Sequence, residues 1–439
     1  MTKKKSVSVL TFGCKINQYE SACILSSFEK RGYTIVQESK NADILIINTC
    51  CVTATTQAKN RRAIQKAINF KKESSNKKVV VTGCYSQIEK DKLQNFKKID
   101  LVVDIKNKGI IVELLAKQTI EEIGKVVFPE ISTDSFYGKK RAFVKIQDGC
   151  NYFCKYCIVP FARGNPVSRA PTKIIEQVSK FADNGYDEVV LGGINIALYK
   201  YISPKGVEVR FPQVLTQVEK VEKIKAIRIS SCEPQVFTEE FFDFLKKSKK
   251  IVPHFHIPLQ SASPYILEKM GRRYSIEQFE QILKELKKCF SDCAIGTDVI
   301  CGFPTESEQD HNKTKAFLKD NPLDYFHVFQ YSNRAKTAAA KLPNQVIAIV
   351  KKRRSREIRE LSDIKKKRYI SDIVANKTQL SGIVEKIKKG YHSGISDHYV
   401  KFYLKSPKSF GNKRLKLLPI KPLFDGVEVE QSKKQGLAR

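Results

Sequence analysis

One pattern of apolar and polar positions repeats through the first third of the chain. Residues 7–12 form a short apolar run that passes through Gly13 into Cys14. A helical stripe of Cys23, Ile24, Leu25 and Phe28 follows over 18–31 and stops at Gly32, a glycine placed to close a helix. Residues 43–48 form a second apolar run ending at Thr49-Cys50, with a basic helical stretch over 57–70 behind it. A third run, 78–82, ends at Gly83-Cys84. Strand followed by helix, three times over, predicts a parallel sheet covered by helices. Residues 119–138, with Pro129, Ser132 and Tyr137-Gly138, break the pattern and read as a link in which 125–128 is strand-like.

The alternation then resumes. Apolar runs at 142–146, 188–191, 226–230, 254–258, 295–299 and 325–329 predict six βα units, a partial, open β/α barrel rather than the complete eight-unit form. Between Lys351 and Arg368 ten basic residues stand against three acidic ones, while Ile347, Val350, Ile358, Leu361 and Ile364 supply an apolar stripe. That segment reads as a packed helix with a charged outer surface. From residue 377 the period shortens to two, at 379–385, 398–404, 414–418 and 426–430, which predicts a small antiparallel barrel. The expected fold class is therefore α/β in three parts: an amino-terminal parallel α/β sheet domain over 1–130, a partial β/α barrel over 136–372, and a small β-barrel over 373–439.

A length of 439 residues suits two or three domains. Lys+Arg of 79 against Asp+Glu of 46 leaves a net charge of +33, which favours a polyanionic partner, nucleic acid first. A solvated, lysine-rich surface is the plainer reading of the same excess. No uncharged apolar run reaches ~18 residues and no signal-peptide core follows Met1, so the expectation is a cytoplasmic protein without a membrane span. The 12 cysteines show no regular disulfide framework, and clustered thiols in a reducing compartment read as metal ligands or catalytic groups.

The densest cluster is Cys150, Cys154 and Cys157, at C-x3-C-x2-C spacing on a short loop. Three thiolates so placed can hold three irons of a cubane iron–sulfur cluster and leave the fourth open to a substrate or cofactor. Zinc is the alternative, but structural zinc loops pair two C-x2-C knuckles or end in histidine, and none of the 6 histidines lies near Cys157. Cys14, Cys50 and Cys84 are spaced one βα repeat apart, and strand carboxyl ends share one edge of a parallel sheet, so these three should converge on a second three-thiolate site. Three unrelated buried cysteines are the plain alternative. Cys51 adjoins Cys50, and the next residue past a strand end is expected to point the other way. Gly192-Gly193 after a strand allows close backbone approach to a ligand. Ser231 and Glu233 supply a hydroxyl and a carboxylate suited to ribose, and Gln260 follows the next strand. Tyr391, His392, Tyr399, Phe402 and Tyr403 are candidates to stack bases, with core packing the alternative for about half of them.

The C-x3-C-x2-C loop, with Tyr156 before its last cysteine, resembles the cluster loop of radical S-adenosylmethionine (SAM) enzymes. The longer string from Gly149 to Gly164, followed by Ser168-Arg169, is similar to the methylthiotransferases. So are Thr11-Phe12-Gly13-Cys14-Lys15-Ile16-Asn17-Gln18-Tyr19-Glu20, Asn48-Thr49-Cys50 and Thr82-Gly83-Cys84. The resemblance covers essentially the whole chain and implies an RNA-binding TRAM domain at the carboxyl end. It takes Cys50, not Cys51, as the ligand beside Cys14 and Cys84, and it leaves Cys23, Cys232, Cys289, Cys293 and Cys301 as structural residues. It also implies that Gly192-Gly193 holds the amino group of SAM, and that the cofactors are two [4Fe-4S] clusters and SAM. Ala262 and Thr305-Glu306 depart from the glycines common in the family, which bears on loop detail.

Within the family, the motifs at Cys14, Gly193 and Ile229 look most like the branch that modifies threonylcarbamoyladenosine in tRNA. The implied reaction is methylthiolation of carbon 2 of that adenosine, beside the anticodon. In it the Cys150/Cys154/Cys157 cluster cleaves SAM to a 5′-deoxyadenosyl radical, and the Cys14/Cys50/Cys84 cluster carries the methylated sulfur. An electron donor such as flavodoxin or ferredoxin is implied as a partner. The near alternatives are the same chemistry on isopentenyladenosine or on a ribosomal-protein aspartate. A zinc-stabilised RNA-binding protein is the alternative of a different class, and it would be colourless where cluster protein is brown, absorbing at roughly 400 nm.

Overall fold

The structure is a computed structural model that describes residues 4–72, 76–96, 98–117, 132–136, 139–411 and 413–432. Most of the expected link, including 125–128 and Tyr137-Gly138, lies outside the described residues.

The amino-terminal sheet is parallel throughout, with strands β1 (Ser6–Thr11), β2 (Thr34–Ile35), β3 (Ile44–Thr49), β4 (Lys78–Gly83) and β5 (Leu101–Val103) in the order β2-β1-β3-β4-β5. The three expected strands form its centre. The edge strands β2 and β5 are only two and three residues long, too short to leave a periodic signal. Every residue of β3 is buried, as both faces of a covered parallel sheet require. Helix α1 (Lys15–Glu29) follows β1, α2 (Ala54–Lys72) follows β3, and the short α3 (Cys84–Ile88) follows β4.

The middle of the chain supplies six parallel strands, β6 (Ala142–Lys145), β9 (Glu188–Gly192), β12 (Ala226–Ile229), β13 (His254–His256), β14 (Ala294–Cys301) and β15 (Tyr325–Gln330). Two short antiparallel pairs, β7 (Gln147–Asp148) with β8 (Val167–Ser168) and β10 (Lys200–Ile202) with β11 (Glu208–Arg210), sit between them. The six pair as β6-β9-β12 and β13-β14-β15, and the bridge Ile227↔Ile251 joins the halves into an open partial barrel. Its core takes in Ile16, Tyr19, Ala22 and Cys23, so one face of α1 belongs to the barrel as much as to its own sheet.

The long helix Ala348–Ala375 leads to a closed barrel of β16 (Leu380–Lys388), β17 (Tyr391–Ser396), β18 (Lys401–Leu404), β19 (Arg414–Leu423) and β20 (Gly426–Gln431). All its pairs are antiparallel except β18 with β20. Strand β17 escapes a reading by alternation because it carries Ser393 and Gly394 where a core-facing side chain would be expected. A Cβ at Gly394 would sit 2.8 Å from the Phe402 ring. The helix packs through Arg354, Ser355, Ile358, Ser362, Ile370 and Ile373, while Ile347 and Ile364 of the expected apolar stripe are 64% exposed.

Candidate functional site

Cys14, Cys50 and Cys84 stand just past the carboxyl ends of β1, β3 and β4, three neighbours in one sheet. Two glycines let them close on one another. Gly13 has φ +99°, and a Cβ there would lie 2.6 Å from both Cβ and Sγ of Cys50; Gly83 has φ +104°, and its Cβ would overlap the Thr49 backbone. Asn17 Nδ2 donates to the carbonyls of Phe12 (2.7 Å) and Thr49 (2.9 Å), tying the turn after β1 to the end of β3. Burial pushes the Cys50 thiol up to about 11, and the nearby Cys84 and Cys14 add to the rise. Three thiols brought this close ionise together only when a cation takes them up, which is what an iron–sulfur core does.

Cys51 does not point away. It is fully buried, and its thiol donates a hydrogen bond to Cys84, which draws the Cys84 thiol below its ordinary range. Strand alternation does not govern it because β3 ends at Thr49, so Cys50 and Cys51 both lie in irregular backbone.

Behind these thiols lies a group of buried charges that was not evident in the sequence. Glu20 of α1 pairs with Lys108, with Lys145 (3.0 Å) and with Arg163 (2.9 Å); Asp148 pairs with Lys145 (3.0 Å) and Arg163 (2.9 Å). Burial alone would raise the Glu20 carboxyl, but Arg163, Lys108 and Lys145 outweigh it and hold it well below the usual carboxylate range. Three cations against two carboxylates leave 3 − 2 = +1, and Arg163 and Lys108 both favour the thiolate of Cys84. The surplus faces the site where anionic sulfur is wanted.

The same group carries the second cysteine loop, since Asp148 precedes it and Arg163 follows it. Gly149 has φ +72°, with no room for a Cβ beside the Asn165 carbonyl. Cys150 N–H donates to Gly164 O (3.0 Å) and Lys155 N–H to Met270 O (2.9 Å), bracing both flanks of the loop. Cys154 is buried, whereas Cys150 and Cys157 are half-buried. Donors are aimed at two of the sulfurs: Tyr152 N (3.4 Å) and Asn195 Nδ2 (3.7 Å) at Cys150, and Arg272 Nη1 (3.6 Å) at Cys154. Burial pushes the Cys157 thiol up to about 12, with Cys154 and Cys150 contributing. Donors directed at crowded, buried thiols fit a cluster whose sulfurs carry negative charge.

Arg272, which no motif singled out, gathers the expected SAM-binding residues. Its guanidinium meets Cys154, the Tyr156 hydroxyl (3.4 Å) and the Pro258 carbonyl (3.4 Å), and forms an ion pair with Glu233. Glu233 is thus held in place by the guanidinium. Gly192 is required by close packing, for its Cβ would lie 2.7 Å from Ser230 Cβ; that of Gly193 would lie 2.8 Å from the Gln147 side chain. Gln147 in turn donates to the carbonyls of Asp148 and Gly149 (2.8 Å each) and accepts from Asn195 N (2.9 Å), linking the glycine pair to the cysteine loop. Ser231 is exposed just past the end of the neighbouring strand β12.

A cavity of about 230 Å³ lies between the two cysteine sites, lined by Tyr156, Cys157, Gln260 and Asp298 on one side and by Val52 and Thr53, next to Cys51, on the other. Gln260 adopts φ +67° there. Burial disfavours a charged Asp298, but His256 Nε2 (2.9 Å) and His327 Nδ1 (3.4 Å) outweigh it and keep a carboxylate on the cavity wall.

Of the candidate base-stacking residues, Phe402 and Tyr403 are fully buried, and Tyr399 stacks on His254 (ring centroids 4.1 Å apart) at the amino ends of the barrel strands. Tyr391 and His392 remain half-buried on the outside. Phe424, 54% exposed with Lys389 over its ring at 4.2 Å, joins them as an aromatic face that the sequence reading missed.

Residues 6–104 match the model described as "Uncharacterized protein family UPF0004", and residues 144–318 match the radical SAM superfamily. The chain is 34% identical over 429 residues to the threonylcarbamoyladenosine tRNA methylthiotransferase MtaB of Bacillus subtilis, covering 95% of this chain and 94% of that protein. It is 35% identical over 366 residues to the tRNA-2-methylthio-N(6)-dimethylallyladenosine synthase of Thermodesulfovibrio yellowstonii, covering 82% and 84%. Among solved structures, the radical SAM methyltransferase TsrM of Kitasatospora setae with cobalamin and a [4Fe-4S] cluster superposes with a TM-score of 0.57 at 13% identity, covering 77% of each chain, a likeness of fold. With a radical SAM barrel, a closed five-stranded barrel behind it, and relatives above 30% identity along nearly its whole length, this chain belongs to the radical SAM methylthiotransferases.

Proposed function

We propose that the protein methylthiolates carbon 2 of N6-threonylcarbamoyladenosine in tRNA, beside the anticodon, in the cytoplasm, with reducing equivalents from a small electron-transfer protein of the flavodoxin or ferredoxin kind. The observation that carries this reading is the cavity walled by Cys157 of one cysteine loop and by Val52 and Thr53, which follow Cys50 and Cys51 in the chain. Held by Cys150, Cys154 and Cys157, a [4Fe-4S] cluster with SAM supplies the hydrogen-abstracting radical chemistry that no side chain provides, and a second one on Cys14, Cys50 and Cys84 supplies the sulfur.

The chain's own residues do the positioning. Arg272 fixes Tyr156, Glu233 and the sulfur of Cys154 in one arrangement. Gln147 and Asn195 lock the glycine pair against the loop. The buried ion pairs around Glu20 hold the two sites in register, and Asp298 places a carboxylate where the exocyclic groups of a flipped-out base can meet it. Tyr391, His392 and Phe424 offer rings for RNA on the carboxyl-terminal barrel.

The test is nucleoside mass spectrometry after incubating the anaerobically reconstituted enzyme with tRNA carrying either the threonylcarbamoyl or the isopentenyl modification. The 2-methylthio product is expected on the first; product confined to the second overturns the proposed substrate.

A further inference from the structure

Arg334 lies in the loop after β15 and is 6% exposed. Its Nη1 donates to Gln57 Oε1 at 2.9 Å, in the first turn of α2, while Nε and Nη2 meet no acceptor among the described residues. A buried guanidinium with two idle donors is costly unless something fills them. The idle pair is one edge of the guanidinium, the edge on which arginine takes an oxyanion through two parallel hydrogen bonds.

The surroundings say where such an anion comes from. Arg334 lines a cavity of about 440 Å³ together with Gln57 and Lys336, and this cavity shares Ile158 with the one between the cysteine sites. Cys50 and Cys51 lie near enough that their thiolate forms would favour the Arg334 cation, so the guanidinium stands beside the amino-terminal cysteine site. Glu89 and Asp91 line the same cavity against the cations Lys92, Arg334 and Lys336, and Glu89 pairs with Lys92. The loop is held in place: Ser332 Oγ accepts from Ala54 N (3.3 Å), and Thr337 N and Oγ1 both donate to Arg334 O (2.8 Å each).

We propose that Arg334 receives an oxyanion of the substrate RNA through Nε and Nη2, and so seats the strand next to the base being modified. Two groups of the RNA have this chemistry, a backbone phosphodiester and the carboxylate of a threonylcarbamoyl group. The inference rests on the RNA substrate of the preceding subsection, not on which modified base it carries.

The experiment measures affinity by fluorescence anisotropy, using the full chain with both clusters reconstituted and an anticodon stem-loop RNA in three forms: threonylcarbamoylated, isopentenylated and unmodified. Arg334→Gln is expected to weaken binding roughly ten- to a hundredfold, the cost of losing a charge-assisted pair. Arg334→Lys, which keeps the charge without the fork, is expected to fall between, and it guards against a folding defect in the first variant. A loss common to all three RNAs, with the salt slope reduced by about one, assigns a phosphodiester. A loss confined to the threonylcarbamoyl RNA assigns the carboxylate. Unchanged affinity in both variants overturns the proposal, as does intact affinity accompanied by lower iron content or an altered cluster spectrum, which would make Arg334 a counter-charge to the thiolates. If the wild-type protein modifies only the isopentenyl RNA, the proposed substrate fails while a uniform loss in Arg334→Gln still supports this site.

Discussion

Thr305 stands in the left-handed region at φ +72°, a conformation that glycine adopts freely and a β-branched residue resists. Its hydroxyl is buried without a hydrogen-bond partner among the described residues, so the side chain adds a desolvation cost to the backbone strain. Thr305→Gly is expected to raise the unfolding free energy by ~1 kcal/mol, after allowing for the greater freedom of glycine in the unfolded chain, measured by urea titration. Gln260 is strained alike, but its backbone is pinned by Asp298 O (2.8 Å) and Ile300 N (2.9 Å) at the cavity wall, where the conformation aims its side chain. Asp324 shows another residue-level cost. Burial pushes its carboxyl up to about 6 although it accepts a hydrogen bond from Ile295 N (2.8 Å). A folded value above the unfolded one, ~3.9, means that the stability this group lends is present below that pH and lost as pH rises through about 6. Asp324→Asn is expected to flatten the rise in unfolding free energy on acidification across that window.

At the scale of elements, the turns that precede cysteines set the site. Gly13→Ala would drive a Cβ into Cys50 in a backbone conformation that alanine resists, so it is expected to leave the protein with about half its iron while SAM cleavage by the remaining cluster persists. Iron assay and 5′-deoxyadenosine release check both parts. The strands carrying these turns could be read from the sequence because each is an apolar run long enough to leave a pattern, entering a glycine or threonine and then a cysteine. Strands β2 and β5 could not, being too short, nor could the whole packing face of the helix Ala348–Ala375, which adds Arg354 and Ser362 to Ile358 and Leu361 of the expected stripe. Ser362 Oγ accepts from Phe326 N at 2.7 Å, and Arg354 binds Glu306 at 2.7 Å. In the site, cysteine spacing was informative because it follows from a local loop or from the repeat of βα units. The pairings of Arg272 with Cys154 and of Arg163 with Glu20 left no such trace, since the partners lie 118 and 143 residues apart.

Across the whole molecule, the cavity opens at the carboxyl ends of the barrel strands and the small barrel docks at their amino ends. There Arg414 (2.8 Å) and Arg228 (2.9 Å) both bind Glu188, and Tyr399 covers His254. The helix Ala348–Ala375, ~42 Å long for its 28 residues, runs between the two, with Lys351 over the Tyr331 ring at 5.0 Å towards one end and Ile370 and Ile373 in the small barrel's core towards the other. RNA reaching both ends must track that length, and with a net charge of +33 its affinity is expected to fall steeply between 50 and 200 mM salt, by roughly a thousandfold if six phosphates are met. Where the amino-terminal sheet meets the barrel, Glu20→Ala is expected to cost ~3–5 kcal/mol by leaving Lys145, Lys108 and Arg163 under-neutralised, measured by denaturant unfolding. This junction has a further consequence for the order of events in turnover. A seam locked by buried opposite charges does not swing, so the opening between the two cysteine groups is set when the chain folds. On the proposed reading, the large movement in turnover then falls to the nucleoside rather than to the enzyme.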